Sequence, residues 1–178
     1  MINRIEKCIV DTNVSLLAGT HISKIKKEQV ECASACIKFI KNFIGNPNSK
    51  IVLDNAGEVL REYRKATTMF KSERNVAVLF YMWVCQYIKF ASIDNLVQLH
   101  KNEQNSFDEY PSNKDLRDFD PADKKFIALA NAHPEHPPII EGSDSEWWGI
   151  RIALQECGLQ VKFLCEKYIK AKYEQKRG

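Results

Sequence analysis

The chain has 178 residues, which is room for one domain with a proper core but too few for two comfortable ones. Hydrophobic residues make up 44% and charged residues 28%, a globular composition that argues against a disordered chain. The formal net charge of +3 does not by itself identify a nucleic-acid-binding protein. Five Lys or Arg side chains lie between positions 166 and 178, and we interpret them as the solvated face of a terminal helix.

Six cysteines are present, none in a Cys-x-x-Cys pair and most of them in apolar stretches. They are predicted to be small buried hydrophobic side chains in a reducing compartment, and their spacing does not favour a zinc site. Charged residues appear within the first few positions, which does not fit a secretory signal peptide. The apolar run over 76–88 is too short to cross a bilayer. We therefore expect a cytoplasmic protein without membrane contact.

The first half of the chain alternates short apolar runs with helical periodicity. An apolar run over 8–11 ends in an aspartate and predicts a buried strand, because strands of parallel sheets read as continuous hydrophobic runs. Helical spacing follows over 26–44 and ends at a Gly-Asn-Pro-Asn turn. The other elements predicted here are a strand over 50–54, a helix over 56–67, a core-filling helix over 73–88 and a short strand over 90–93.

A polar segment over 101–119 interrupts this pattern and is predicted to be an insertion or a flexible loop. Asp120 and Pro121 then indicate a helix start, as an N-cap residue followed by Pro at the first helical position. A strand over 138–141, a helix over 146–157, a strand over 160–165 and a terminal helix complete the chain. Strands alternating with helices predict a parallel sheet covered on both faces, so the expected fold is a single-domain, three-layer α/β/α sandwich spanning 1–178.

Acidic residues follow the strands at several places. Asp11 ends the first strand, Glu58 and Glu62 lie on the helix after the second, Asp123 opens a later helix and Asp144 follows the strand over 138–141. Ligands bind beyond the carboxyl ends of strands in such sheets, so these side chains are expected to meet at one edge. Close carboxylates repel each other, and hard divalent cations are the natural compensation. Metal-activated water hydrolyses phosphodiesters without a nucleophilic side chain.

Three segments resemble those of PIN-domain ribonucleases, in the same order along the chain. Ile9-Val-Asp-Thr-Asn-Val14 is similar to the opening strand of that family, Asp123-Lys-Lys-Phe-Ile-Ala-Leu-Ala130 to its central helix, and Gly142-Ser-Asp-Ser-Glu-Trp147 to the segment after its fourth strand. The glutamate-bearing helix over 56–67 lies in the expected second place. The resemblance frames nearly the whole chain. It implies a PIN-like fold and a Mg²⁺- or Mn²⁺-dependent endoribonuclease.

The resemblance also implies particular site residues. Glu62 is favoured over Glu58, one turn away on the same helix face, because its cationic neighbours could contact a phosphate backbone. The implied metal ligands and catalytic residues are Asp11, Glu62, Asp123 and Asp144, with Asn13, Glu58, Ser143 and Glu146 as additional candidates and Arg61, Arg64 and Lys65 as substrate-binding residues. The partners implied are RNA, an inhibitory protein and a second copy of the chain, as in toxins of this family.

Two other functions are left open by the residues. Asp11-Thr-Asn13 is near the Asp-x-Asp of haloacid-dehalogenase-like phosphatases, which require a second aspartate where Asn13 stands. A catalytically inactive module that binds nucleic acid or protein is the other alternative. Each acid also has a purely structural interpretation, since Asp11 and Asp144 are suited to cap helices and Asp123 to favour a helix dipole. The target, the choice between RNA and DNA and the biological role are not determined by the sequence.

Overall fold

The computed structural model describes residues 5–70, 72, 74–103 and 106–178, and within them the chain forms six short strands and seven α-helices. The strands are β1 (Lys7–Val10), β2 (Lys50–Ile51), β3 (Leu53–Asp54), β4 (Leu96–Val97), β5 (Ile139–Glu141) and β6 (Val161–Phe163). The helices are α1 (Thr12–Gly19), α2 (Val30–Ile44), α3 (Glu58–Thr67), α4 (Val76–Ile88), α5 (Lys124–Ala132), α6 (Glu146–Glu156) and α7 (Glu166–Arg177). Short 3₁₀ turns lie at Ile22–Lys24, Lys27–Gln29, Ile93–Asn95 and Lys114–Leu116.

The main sheet has four parallel strands in the order β2-β1-β5-β6, and β3 and β4 form a separate parallel pair. β1 pairs with β2 at Cys8 and Ile51 and with β5 at Ile9 and Ile139. The predicted α/β architecture with a parallel sheet is therefore confirmed. The chain leaves β1 toward β2 on one side and returns to β5 on the other, so the strand order reverses between β1 and β5. A crevice beyond the carboxyl ends of the strands is expected at such a switch point.

The central strands are enclosed by helices, which explains their continuous apolar sequences. Ile9 of β1 and Ile139 of β5 have no solvent-accessible surface, and neither does Trp147 of α6. Full burial of such a side chain contributes about 1.5–3 kcal/mol to folding. Trp147 meets Phe119 edge to face, with ring centroids 4.9 Å apart. This contact anchors the end of the polar 101–119 segment to the core.

Several predicted helices begin later than the sequence pattern suggests. The helix predicted over 26–44 begins at Val30, after a 3₁₀ turn. The helix predicted to begin at Asp120 begins only after Asp123, because the Asp120 side chain accepts the N–H of Ala122 at 2.8 Å and closes a turn instead. The helix predicted over 73–88 begins at Val76, and position 73 lies outside the described residues.

The strand predicted over 90–93 is wrong. Phe90 and Ile93 are 83% and 81% exposed, and Ile93 begins a 3₁₀ turn. The strand of this region is β4, which lies a few residues further on. The strand predicted over 50–54 is present as β2 and β3, and these pair with different neighbours on either side of Val52.

The helix α4 is the predicted core-filling helix, but it contributes to the core with one face only. Ala77, Phe80 and Val84 are buried, but Leu79 and Met82 are 41% and 54% exposed. Across the described ranges, the structure contains no helix with both the length and the apolar character needed to cross a membrane.

The prediction that the cysteines are all unpaired hydrophobic side chains is wrong for two of them. Cys32 and Cys165 form a disulfide, with Cα atoms 5.2 Å apart, that joins α2 to the segment between β6 and α7. Cys8 and Cys36 are free and buried, as predicted.

Candidate functional site

The carboxyl ends of β1 and β5 bring two acids together at the switch point. Asp11 directly follows β1, and its backbone N–H donates to the carbonyl of Ile140 at 3.0 Å. Glu141 is the last residue of β5. The buried hydroxyl of Tyr63 in α3 donates to the carbonyl of Val10 and holds the end of β1 in place. Both acids are therefore positioned by the central sheet and its covering helices.

Asp11 is buried, with 3% of its surface exposed, and its two oxygens have different environments. The Oδ1 atom accepts the N–H of Asn13 at 2.8 Å and caps α1, a helix that the sequence did not predict. The Oδ2 atom is buried and has no hydrogen-bond partner among the described residues. Burial raises the pKa of Asp11 well above its ordinary value, and the negative charges of Glu141 and Asp123 raise it further. A buried acceptor without a donor is uncommon and indicates a place for a ligand.

Glu141 is a buried acid that was not predicted as a site residue. Its Oε1 atom accepts the N–H groups of Ser143 and Asp144, both at 2.8 Å, and its Oε2 atom accepts the amide of Asn13 at 2.7 Å. Burial raises the pKa of Glu141 to about 8, although these hydrogen bonds favour the charged form. Its oxygens are satisfied, so Glu141 organises the turn that carries Asp144. The sequence signal was an acid ending an apolar run.

Asn13 connects the loops that follow the two central strands. Its amide nitrogen donates to Glu141, and its Oδ1 atom accepts the N–H of Gly142 at 3.0 Å. A side chain at Gly142 would bring its Cβ within 2.9 Å of Asn13 Oδ1 and 3.0 Å of Cys36 Sγ. The close approach therefore favours glycine at this position, and Asn13 holds the turn through its amide.

Asp123 and Asp144 lie at the ends of two further helices. Asp123 is the N-cap of α5, and partial burial raises its pKa to about 7, with the charge of Asp120 as the next contribution. The charge of Asp144 raises the pKa of Asp123 as well as that of Asp11. The Oδ1 atom of Asp144 accepts the N–H of Glu146, the first residue of α6, at 2.9 Å. Electrostatic interactions therefore link the three predicted aspartates into one acidic group.

Glu62 joins this group through two contacts of its own. Its Oε2 atom accepts the hydroxyl of Thr12, next to Asp11, at 3.1 Å. Its Oε1 atom lies 2.6 Å from the ammonium of Lys125, whose side chain is only 7% exposed. Lys125 also lowers the pKa of Asp123. It is an internal counter-charge within the acidic group that sequence reasoning missed, because a lysine in the first turn of a helix has no distinguishing signal.

The other candidate acids have different partners. Glu58 pairs with Lys101 of the polar segment at 2.6 Å. Glu146 is exposed and pairs with Lys176 of α7 at 3.5 Å. Glu62 and Glu58 therefore have different surroundings, Glu62 beside Thr12 and Lys125 and Glu58 beside Lys101.

The remaining candidates lie at the periphery. Ser143 makes its contacts through the main chain. Its N–H donates to Glu141, and its carbonyl accepts from Lys172 at 3.4 Å. The substrate-binding candidates on α3, Arg61, Arg64 and Lys65, are all exposed. The guanidinium of Arg61 donates to the carbonyl of Ala56 at 2.9 Å.

The donor set suits a hard divalent cation, because it consists of carboxylate oxygens and includes the partnerless buried Oδ2 of Asp11. The described part of the chain contains no group of three or more His, Cys, Asp or Glu side chains close enough to hold a metal ion as they stand. Carboxylate oxygens are the ligand type that Mg²⁺ and Mn²⁺ prefer, but the described acids are not arranged as a metal site.

Comparisons with known proteins give no match. No protein-family model matches the sequence, and neither the search of curated proteins nor that of solved structures finds a significant relative.

Proposed function

We propose that the protein is a metal-dependent nuclease of PIN type, an endoribonuclease that hydrolyses phosphodiester bonds of RNA with Mg²⁺ or Mn²⁺. The observation that carries the proposal is the buried Oδ2 atom of Asp11 at the switch point of the sheet, to which none of the described residues donates a hydrogen bond. Asp123 and Asp144 come to it from helix ends far away in sequence. The coincidence of these three aspartates with the PIN-like motifs supports this family over other α/β hydrolases.

The charge balance supports a bound cation. At about 5 Å and an effective dielectric of about 20, each pair of ionised carboxylates costs roughly 3 kcal/mol. Lys125 supplies one positive charge against several acids, and among the described acids its ion pair is with Glu62. A divalent cation would offset the remaining repulsion. The residues that would hold it are Asp11, Asp123, Asp144 and Glu62.

The chemistry is divided between the cation and the chain. When bound, a divalent cation lowers the pKa of a coordinated water and offsets the charge that develops on the phosphate. Glu141 and Asn13 would hold the loops after β1 and β5 at a fixed separation, and thereby orient Asp11 and Asp144. The exposed side chains of Arg61, Arg64 and Lys65, on the helix that carries Glu62, would attract the phosphate backbone.

Of the two alternative functions, the phosphatase loses support, and one observation favours the inactive binding module. A phosphatase of the haloacid-dehalogenase type needs an acid where Asn13 stands, and both polar atoms of this amide are already used by Glu141 and Gly142. An inactive binding module is favoured by the ion pair of Glu62 with Lys125, which neutralises one ligand internally. The experiment must therefore separate cutting from binding.

The test is cleavage of single-stranded RNA with Mn²⁺, with and without EDTA. We expect EDTA-sensitive cleavage that Asp11→Asn and Asp123→Asn abolish while circular dichroism shows an intact fold. Asp54→Asn is the matched control, since Asp54 is also buried at a strand end but accepts N–H groups from Glu58 and Val59 at 2.7 and 2.8 Å. This variant should cut RNA at a temperature where it is folded.

Three results contradict the proposal. Cleavage that survives both aspartate substitutions excludes the assigned site. Tight RNA binding without cleavage in any metal supports the binding module. Release of phosphate from small phosphoesters, without RNA cleavage, supports a phosphohydrolase of another family.

A further inference from the structure

A polar cleft of about 560 Å³ lies between the 101–119 segment and the start of α5. Three cationic side chains line it: Lys114, Arg117 and Lys124. None of them has a carboxylate within ion-pair distance among the residues that the structure describes, in contrast to Lys101 and Lys125. One acid, Asp108, is among the described lining residues, so the cleft is positive on balance.

The cleft is pre-formed rather than a gap in a loose loop. Leu116 is fully buried, and its carbonyl accepts the hydroxyl of Tyr110 at 2.9 Å. The amide of Asn131, in α5, donates to the carbonyl of Glu109 at 2.9 Å. The segment predicted to be an insertion or a flexible loop is therefore hydrogen-bonded to α5 where it forms a wall of the cleft. A fixed wall spares a bound ligand the entropy of ordering a loop.

One cleft cation is held in place and adjoins the acidic group. The ammonium of Lys124 donates to the carbonyl of Arg117 at 2.9 Å and lies 5.2 Å from the ring centroid of Tyr110. Lys124 is the first residue of α5 and directly follows Asp123, the N-cap. The cleft and the candidate metal ligands therefore share one helix start.

We propose that this cleft binds the sugar-phosphate backbone of a single-stranded nucleic acid beside the acidic group. The inference rests on the proposed nuclease function and assigns its substrate path to Lys114, Arg117 and Lys124, in addition to the predicted cations of α3. Unpaired Lys and Arg side chains neutralise phosphates, and Ser112 and Asn113 add polar groups to the same wall. A groove lined by cations follows the backbone without reading sequence.

The test is fluorescence anisotropy of a labelled single-stranded RNA with the full chain in EDTA, where no metal-dependent cleavage occurs. Lys114→Ala/Arg117→Ala removes two cleft charges and leaves Lys124 in place. Lys38→Ala/Lys41→Ala removes two exposed charges from α2 and is the matched control. Two lost phosphate contacts should weaken binding by about tenfold or more at moderate salt and reduce the salt slope by about 1.4, while the control changes affinity by less than about twofold. Thermal melts establish that both variants are folded.

The outcomes separate the inference from the proposed function. Unchanged RNA affinity and salt slope in the cleft variant overturn the inference, even if the wild-type chain cuts RNA. Absence of RNA binding by the wild-type chain overturns it as well. A selective loss of binding in a protein that never cuts supports the cleft and contradicts the nuclease. Single-stranded DNA of the same sequence tests whether the cleft prefers RNA. For contacts to the phosphate backbone, we expect the cleft variant to lose affinity equally for RNA and for DNA.

Discussion

Replacing Asp11 by asparagine should stabilise the protein while abolishing its proposed activity. The amide keeps an oxygen to accept the N–H of Asn13, which the carboxylate accepts at 2.8 Å. It also puts a donor where the carboxylate has a buried oxygen without a partner. An unsatisfied buried polar group costs about 1–3 kcal/mol, and repulsion from one ionised neighbour such as Glu141 costs up to roughly 3 kcal/mol.

The net gain is smaller than the sum of these costs, because the raised pKa of Asp11 lets a proton relieve part of them. We expect a stabilisation of about 2 kcal/mol near pH 8, which corresponds to a rise in melting temperature of about 4–8 °C for a chain of this size. The gain should grow with pH. A folded-state pKa above the ordinary value of 3.8 means that the charged form costs stability as pH rises above that value.

The assay is thermal and urea unfolding of the metal-free protein across pH, with Asp54→Asn as the comparison. Asp54 accepts two backbone N–H groups at 2.7 and 2.8 Å, so its replacement should lower the free energy of unfolding by about 1 kcal/mol. We therefore expect the two substitutions to change the free energy of unfolding in opposite directions, although both aspartates are buried at strand ends. A loss of stability in Asp11→Asn similar to that in Asp54→Asn would refute the argument that Asp11 is held at a cost.

Three further predictions concern the same group of charges. The metal-free protein should lose stability as pH rises from about 4.5 to about 8, because burial raises the pKa of Glu141 to about 8 and that of Asp123 to about 7. Mn²⁺ should therefore raise the melting temperature more at pH 8 than at pH 6. A metal effect that does not depend on pH contradicts this prediction. In calorimetry, Glu62→Gln should weaken Mn²⁺ binding about tenfold or more, whereas Glu58→Gln should change it less than about twofold. Equal effects of the two substitutions would mean that Glu62 is wrongly assigned as a ligand. Lys125→Met removes the ion-pair partner of Glu62, whose side chain is 35% exposed, so the metal-free free energy of unfolding should fall by about 1 kcal/mol and Mn²⁺ should recover part of the loss; a variant as stable as wild type without metal is the contrary result.

The sheet was predictable from sequence where apolar runs ended in acids. The runs over 8–11 and 138–141 became the two central strands, because only a fully enclosed strand accommodates a continuous apolar sequence. The helix α1 was missed, since it is short and begins with Thr12 and Asn13, which are poor helix formers. It forms because Asp11 caps it and because its buried residues pack in the core. Phe90 and Ile93 led to the opposite error, the prediction of a strand that is absent. Both are apolar residues with strand propensity, but they lie exposed at a turn.

The site was predictable in outline but not in its partners. Spacing placed Glu58 and Glu62 on one helix face, and it could not tell that the polar segment would supply Lys101 to one and α5 would supply Lys125 to the other. Those partners are distant in sequence, so only the fold decides between the two glutamates. Glu141 was overlooked for a similar reason, because the donors that make its burial tolerable come from a turn and from a loop after another strand.

Hydrogen-bond satisfaction distinguishes the acids of this molecule independently of any motif. Glu141 accepts from three donors and Asp54 from two, so both oxygens of each carboxylate are hydrogen-bonded. Asp11 lies as deep as Asp54 yet leaves one oxygen without a donor. Three neighbouring acids raise its pKa, so the fold adds charge there instead of relieving it. A proton or a positive ligand would each relieve a buried, repelled and half-satisfied carboxylate. The proposed nuclease site therefore depends on Asp11 rather than on the resemblance alone.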